Sequence, residues 1–192
     1  MSLGALAVCV VVFGVVIAIG PGTYAESLYI TKAITLWGAC PDSAIIDGGS
    51  FDAVQIQADG VELHDLAITG GNAGVSIYDA ENVVLDRLYL RDTGWSGIYI
   101  GAGGGVTLTR SLIERTTAAA INVFGGTLSV SDTEVRDVAA DASGQYGFGI
   151  SADDSAGVRA NIDARRVHIR NAHTIGIGAW GANALIEDSY VA

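Results

Sequence analysis

Apolar and polar residues alternate along this chain in short bursts, and the bursts recur. One inward-facing pair reads Leu66/Ile68, Leu88/Leu90, Ser111/Ile113, Thr133/Val135, Val167/Ile169 and Ser189/Val191, with first members 22, 23, 22, 34 and 22 residues apart. A second reads Val61/Leu63, Val83/Leu85, Val106/Leu108 and Leu128/Val130. A third reads Val54/Ile56, Val75/Ile77, Ile98/Ile100, Ile121/Val123, Phe148/Ile150 and Ile177/Ala179. Alternation with period two marks strands with one buried side, not helices. Three such strands in each 22–23 residues, parted by Gly, Asn or Asp, predict a solenoid. A single unit cannot bury its own apolar side chains, but stacked units can. A leucine-rich repeat has a similar period, but its return segment is helical or irregular, whereas here the return is made of strands. The pattern therefore predicts an all-β parallel β-helix of seven to eight coils over residues 15–192. Inward positions must match from coil to coil because they form ladders, while outward positions are free to drift.

The N-terminus differs. Residues 3–20, "LGALAVCVVVFGVVIAIG", carry no charge over 18 positions, a length that touches the membrane-spanning threshold. A secretory signal needs a basic first region, which Met1–Ser2 does not supply. The stretch is β-branched and broken by Gly4 and Gly14, so residues 1–14 read as an apolar segment whose strands are buried and close one end of the fold. A membrane anchor or signal remnant is the alternative. The C-terminal "EDSYVA" ends within a unit and carries no visible cap, although solenoids need polar caps. This predicts a piece of a longer chain, or an end covered by end-to-end oligomerisation.

Composition narrows the functional classes. The net charge is −11 with one lysine and nine arginines, which removes the basic footprint that nucleic-acid binding requires. Glycine is abundant, 26 of 192 residues, with only two prolines, as tight turns between strands demand. Cys9 and Cys40 are too few for a disulfide framework, and spacing alone leaves their pairing open.

Within the first coils, "GTYAE" at 22–26 followed by "ITLWG" at 34–38 gives a G-x-Y-x-E opening. It resembles the first coils of the pectin-lyase-like right-handed parallel β-helix superfamily. The resemblance implies a right-handed helix, with Tyr24 and Glu26 in structural roles and Glu26 taking up backbone donors. It implies no particular activity. Against pectin methylesterases, the comparable patches read "FDAVQIQ" and "RDTGWSG", and nothing matches their D-F-I-F-G. Against polygalacturonases, Asp153–Asp154 supplies a D-D, but G-H-G and R-I-K are missing. Against mannuronan epimerases, "YGFG" at 146–149 has Gly149 where an aspartate belongs.

Three outward features remain. The outer face of the third pair collects Gln55, Gln57, Ser76, Tyr78, Tyr99, Asn122, Phe124, Ser151 and Trp180. Aromatic faces with amides and hydroxyls, without charges, suit sugar stacking, so Tyr78, Tyr99, Asn122, Phe124 and Trp180 are candidate glycan-binding residues. The loops 139–145 and 152–160, inserted where the repeat lengthens, are expected to bring Asp141, Asp153, Asp154 and Arg159 together, with Tyr146 nearby. Calcium is the one cofactor such oxygens would take, and the three aspartates are its candidate ligands. A column Asp92, Arg115, Asp137 at like positions reads as a salt-bridged, solvated face. His64, His168 and His173 lack metal-ligand spacing and read as surface or corner residues. These features favour an extracytoplasmic or secreted domain that binds a polysaccharide or glycan without a catalytic site. A divergent polysaccharide lyase or glycoside hydrolase, or a structural spacer of a larger surface protein, are the alternatives.

Overall fold

The computed structural model describes residues 14–155 and 157–192. These form 23 strands that visit three parallel sheets in turn. Sheet A opens with Val15–Ile19, sheet B with Gly22–Tyr24 and sheet C with Leu28–Ile30, and the cycle repeats to Tyr190–Val191. Sheets A and B hold eight strands each and sheet C seven. The result is a right-handed parallel β-helix of about eight turns, as the repeat predicts. Among the described residues no helix is long and apolar enough to cross a membrane.

The predicted ladders hold in register. In sheet A, Leu36, Leu63, Leu85 and Leu108 are successive partners. In sheet B the same is true of Ile68, Leu90, Ile113, Val135 and Ile169. Leu63, Leu85 and Leu108 are fully buried in one continuous core. Because both sheet edges of an internal coil are paired, backbone and side chains are satisfied together only when coils stack. The 34-residue interval is absorbed by two loops flanking the Phe148–Asp153 strand of sheet C, so the register on either side survives.

At one position the alternation misleads. Phe148 pairs with Ala119, and it is Ile150 and Ala152 that continue the ladder of Ile121 and Val123. A Cβ on Gly149 would lie 2.6 Å from the core methyl of Ile169. Gly149 thus faces inward beside Ile150, the alternation breaks, and Phe148 turns outward. The N-terminal strand also departs from expectation. Val15, Val16 and Ile17 are exposed, not buried; among the described residues their strand pairs with Ile34–Gly38 alone. Residues 1–13, including Cys9, lie outside the described residues. Cys40 is exposed, its thiol 3.1 Å from the Ser43 hydroxyl. The Tyr24 hydroxyl donates to the Gly20 carbonyl, whereas no described backbone donor reaches the Glu26 carboxylate, which lines an apolar hollow at this end.

Two corners set the turns around sheet B. At the first, Asp65, Arg87, Arg110, Asp132, Arg166 and Asp188 each take a positive φ of 49–53°. Left-handed backbone is uncommon for side-chain-bearing residues other than Asn and Asp. Here the N–H of all but Asp188 is taken up by the next coil, as Arg87 N–H to Thr109 O at 3.1 Å. Charges alternate along parts of this column: Arg87 forks onto Asp65 and Arg166 onto Asp132. At the second corner Arg115 forks onto Asp92 at 2.8 and 3.1 Å. Asp137, expected to continue that column, instead accepts from the Asn171 amide at 2.9 Å.

Two carboxylates are buried beneath these corners. Glu114 accepts from Tyr89, Arg115 and Arg136. Asp86 accepts from Arg87, Thr109 and Arg110 and lies 3.4 Å from His64 Nδ1. Burial pushes the Asp86 carboxyl up, but hydrogen bonds from Arg110, Thr109 and His64 and the charge of Arg87 outweigh it, holding it at about 2. His64 is buried, not a surface residue. Its Nε2 lies 3.0 Å from Glu62, and its ring stacks on Trp37 at 4.5 Å. His168 packs edge-on to Tyr190, and His173 is exposed beside Thr174.

Candidate functional site

Sheet C carries the aromatic face. In a parallel sheet like positions stack about 4.8 Å apart, so outward residues form columns along the solenoid axis. One column runs Tyr29, Gln55, Ser76, Tyr99, Asn122, Ser151 and Gly178. Two residues further along the strands, Phe124, Asp153 and Trp180 are successive partners. Glycine makes room for the rings. The Trp180 ring lies over Gly178, where a Cβ would collide with it, and Tyr78 and Tyr99 both close on the bare Cα of Gly101. The rings therefore lie along the sheet instead of standing off it.

The face divides into two aromatic groups. Tyr78 and Tyr99 pack 5.5 Å apart. Burial raises both phenols, with the Asp52 charge adding to the effect at Tyr78, so both remain protonated donors near neutral pH. Asp52 accepts from the Ser76 hydroxyl and from the Ala73 N–H. The second group is a chain of contacts: Trp95 to Tyr146 at 5.3 Å, Tyr146 to Phe148 at 5.9 Å and Phe148 to Trp180 at 5.4 Å. Between the groups lies Asn122, whose Oδ1 is buried without a protein partner. An acceptor in that position costs free energy until a donor reaches it.

All five candidate residues thus lie on one face, Tyr78, Tyr99 and Asn122 toward its middle, Phe124 and Trp180 toward its C-terminal end. Sequence reading did not place on this face Trp95, Tyr146 (read beside the aspartate loops) or Phe148 (read inward), which complete the second group, nor Tyr29 and Phe51, which flank a groove with Gln55 and Asn72 at the other end. Tyr29 and Phe51 are the most exposed aromatics on the face, at 60% and 76%. A signal for Phe148 was available: aligning Ser151 with Asn122 places Phe148 against Ala119, outside the apolar ladder.

The aspartates do not converge. Asp141 closes its own loop, its Oδ1 accepting from the Ser143 N–H and hydroxyl and the Gln145 N–H. Those bonds, the Ser143 hydroxyl first, hold its carboxyl below the usual range. Asp153 and Asp154 lie at the far end of the Phe148–Asp153 strand. Arg159 turns away to Asn183. Among the described residues no three His, Cys, Asp or Glu side chains group to hold a metal ion.

The fold and this face define a right-handed parallel β-helix with an open, aromatic outer sheet. The family described as right handed beta helix region matches residues 40–191, and the chain belongs to it. By sequence, no curated protein matches. Among solved structures, Escherichia coli YbhC superposes with a TM-score of 0.65 at 14% identity, covering 92% of this chain and 63% of that one. An alginate lyase from Paenibacillus sp. str. FPU-7 gives 0.57 at 14%, covering 92% and 91%. The catalytic domain of a GH87 α-1,3-glucanase in complex with tetrasaccharides gives 0.64 at 17%, covering 92% and 34%. At these identities the likeness is one of fold. The chain spans less than two thirds of YbhC and about a third of the glucanase chain.

Proposed function

We propose that this chain is a glycan-binding β-helix whose ligand lies along the outer face of sheet C. The observation that carries the reading is the strip itself. Rings lie along the sheet over Gly101 and Gly178, with amide and hydroxyl groups between them. Pyranose rings present apolar faces to such platforms and hydroxyls to the intervening polar groups. The half-buried Asn122 side chain places an amide between the two aromatic groups for such contacts. The tetrasaccharides held by the structurally similar glucanase domain are in keeping with this ligand class.

Binding suits the face better than hydrolysis by Asp52 and Asp153. Paired carboxylates that cleave a glycosidic bond sit roughly 5–9.5 Å apart. Asp52 precedes the Val54–Ile56 strand and Asp153 ends the Phe148–Asp153 strand, four sheet positions further on. At the strand spacing that is about 19 Å. With a net charge of −11, the protein should prefer neutral or weakly charged glycans to polyuronates. A glycan array followed by titration calorimetry tests this. Binding that falls at least tenfold in Trp180→Ala and in Tyr99→Ala is expected. Preference for polygalacturonate or alginate without added calcium would overturn the reading.

A further inference from the structure

The C-terminal end of the strip carries a carboxylate that the protein itself leaves without a cation. Asp153 lies between Phe124 and Trp180 in the sheet register. Both rings are about 40% exposed, and Phe148 packs 5.4 Å from Trp180. The polar contact of Asp153 is the Ser151 hydroxyl at 3.4 Å, and no described Arg, Lys or His pairs with it. The carboxylates of the molecule divide on this point, and Asp52 and Asp141 likewise meet hydroxyl and N–H donors without a described cation. On the corners around sheet B, Asp65, Asp92, Asp132 and Glu134 all meet arginines. Arg159, in the loop after the Asp153 strand, is turned to Asn183 instead.

A carboxylate without a cation, set between two part-exposed aromatic residues in the sheet register, has the chemistry that selects an organic ammonium. The carboxylate supplies the opposite charge and the rings supply cation–π attraction, which strengthens when the group is desolvated. The pattern recurs at the other end of the strip, where Asp52 lies beside the exposed Phe51 and the Tyr78 phenol, again without a described basic partner. We infer that Asp153, Phe124 and Trp180 form an ammonium subsite, and that the glycan this face takes is a polymer bearing free amino groups, a polyamino sugar. The inference rests on the glycan reading above and narrows it.

The test is a paired panel: hexamers of glucosamine and of galactosamine in several linkages, each as the free amine and as its N-acetylated twin. Binding is measured calorimetrically at low and at physiological salt to the wild type, Asp153→Asn, Trp180→Leu and Trp180→Ala. At least one free-amine hexamer should bind tenfold or more tightly than its twin, and less so as salt rises. Asp153→Asn should bring its affinity to within threefold of the twin's while the twin's own affinity is unchanged. Trp180→Leu, which keeps the apolar bulk, should weaken the free amine more than the twin. Twins bound equally, with dependence on Trp180 but none on Asp153, would overturn the ammonium subsite and leave the glycan strip standing. No binding by any member would overturn the ammonium subsite, while the glycan strip stands or falls separately on the glycan array.

Discussion

Replacing Asp86 with asparagine removes a single charge from a buried ion site of the solenoid. The Asp86 side chain is 6% exposed and holds the Arg87 and Arg110 guanidinia, at 36% and 58% exposure, with Thr109 beside them. Its carboxyl is depressed from 3.8 to about 2, which through linkage contributes about 2 kcal/mol of stability at neutral pH. The arginines reach water, so their rehydration keeps the loss near that figure and below the 3–5 kcal/mol of a fully buried broken pair. The sign follows from the folded pKa lying below the unfolded one. The contribution is complete above the unfolded value and is lost as pH falls through the folded one. At pH 3 the unfolded chain is largely protonated at this residue and the folded one is not, so about half has gone. Urea denaturation at pH 7 and pH 3 reads both quantities. Asp86→Asn should lose about 2 kcal/mol at pH 7, equivalent to a fall of roughly 4–8 °C in Tm, and about 1 kcal/mol at pH 3. A loss under 0.5 kcal/mol at pH 7, or an equal loss at both pH values, would refute the assignment of Asp86 as an ionised anchor.

Leu85→Asp, in the fully buried ladder of sheet A, should yield no folded protein, because an unpaired buried carboxylate costs an appreciable part of a domain's stability; a soluble variant with unaltered circular dichroism and Tm would contradict the register. Gly178→Ala should lift the Trp180 ring from the sheet, changing near-ultraviolet circular dichroism and weakening glycan binding about as much as Trp180→Ala, with little change in Tm; unchanged affinity would show that the ring's flat seat is irrelevant. The wild type should lose stability steadily from about pH 4 to pH 2, since the guanidinia of Arg87, Arg115 and Arg170 hold the carboxyls of Asp65, Asp92 and Glu134 below their ordinary values; a flat Tm across that range would disprove those pairings.

Much of the fold was legible because its core obeys a rule that repeats. Leu63, Leu85 and Leu108 need like neighbours one coil away, so each position is stated several times in the chain. The aromatic face was legible for the same reason wherever strands alternate regularly, as at Tyr99 and Asn122. Phe148 was not, because an inward glycine beside it breaks the two-residue period, and only pairing with the Ala119–Phe124 strand fixes its side. The aspartates failed differently. Asp141 lies in a segment of extra length, where spacing along the chain says nothing about distance, and only the six-residue strand after it shows that Asp153 stands at that strand's far end. His64 gave no warning of its burial, since its partners Trp37 and Asp86 come from the coils on either side.

The seating of rings over Gly101 and Gly178 makes the outer sheet a graduated rule. Its divisions are fixed by hydrogen bonding between backbones, so no side-chain substitution can stretch or shorten them. A polymer lying along it therefore drifts out of phase with the rings unless its own repeat is commensurate with the coil rise. On the proposed glycan reading, discrimination between chains of different linkage would reside less in any single contact than in which divisions bear a ring and which are left blank. Moving one glycine by a coil would re-mark the scale without touching the core.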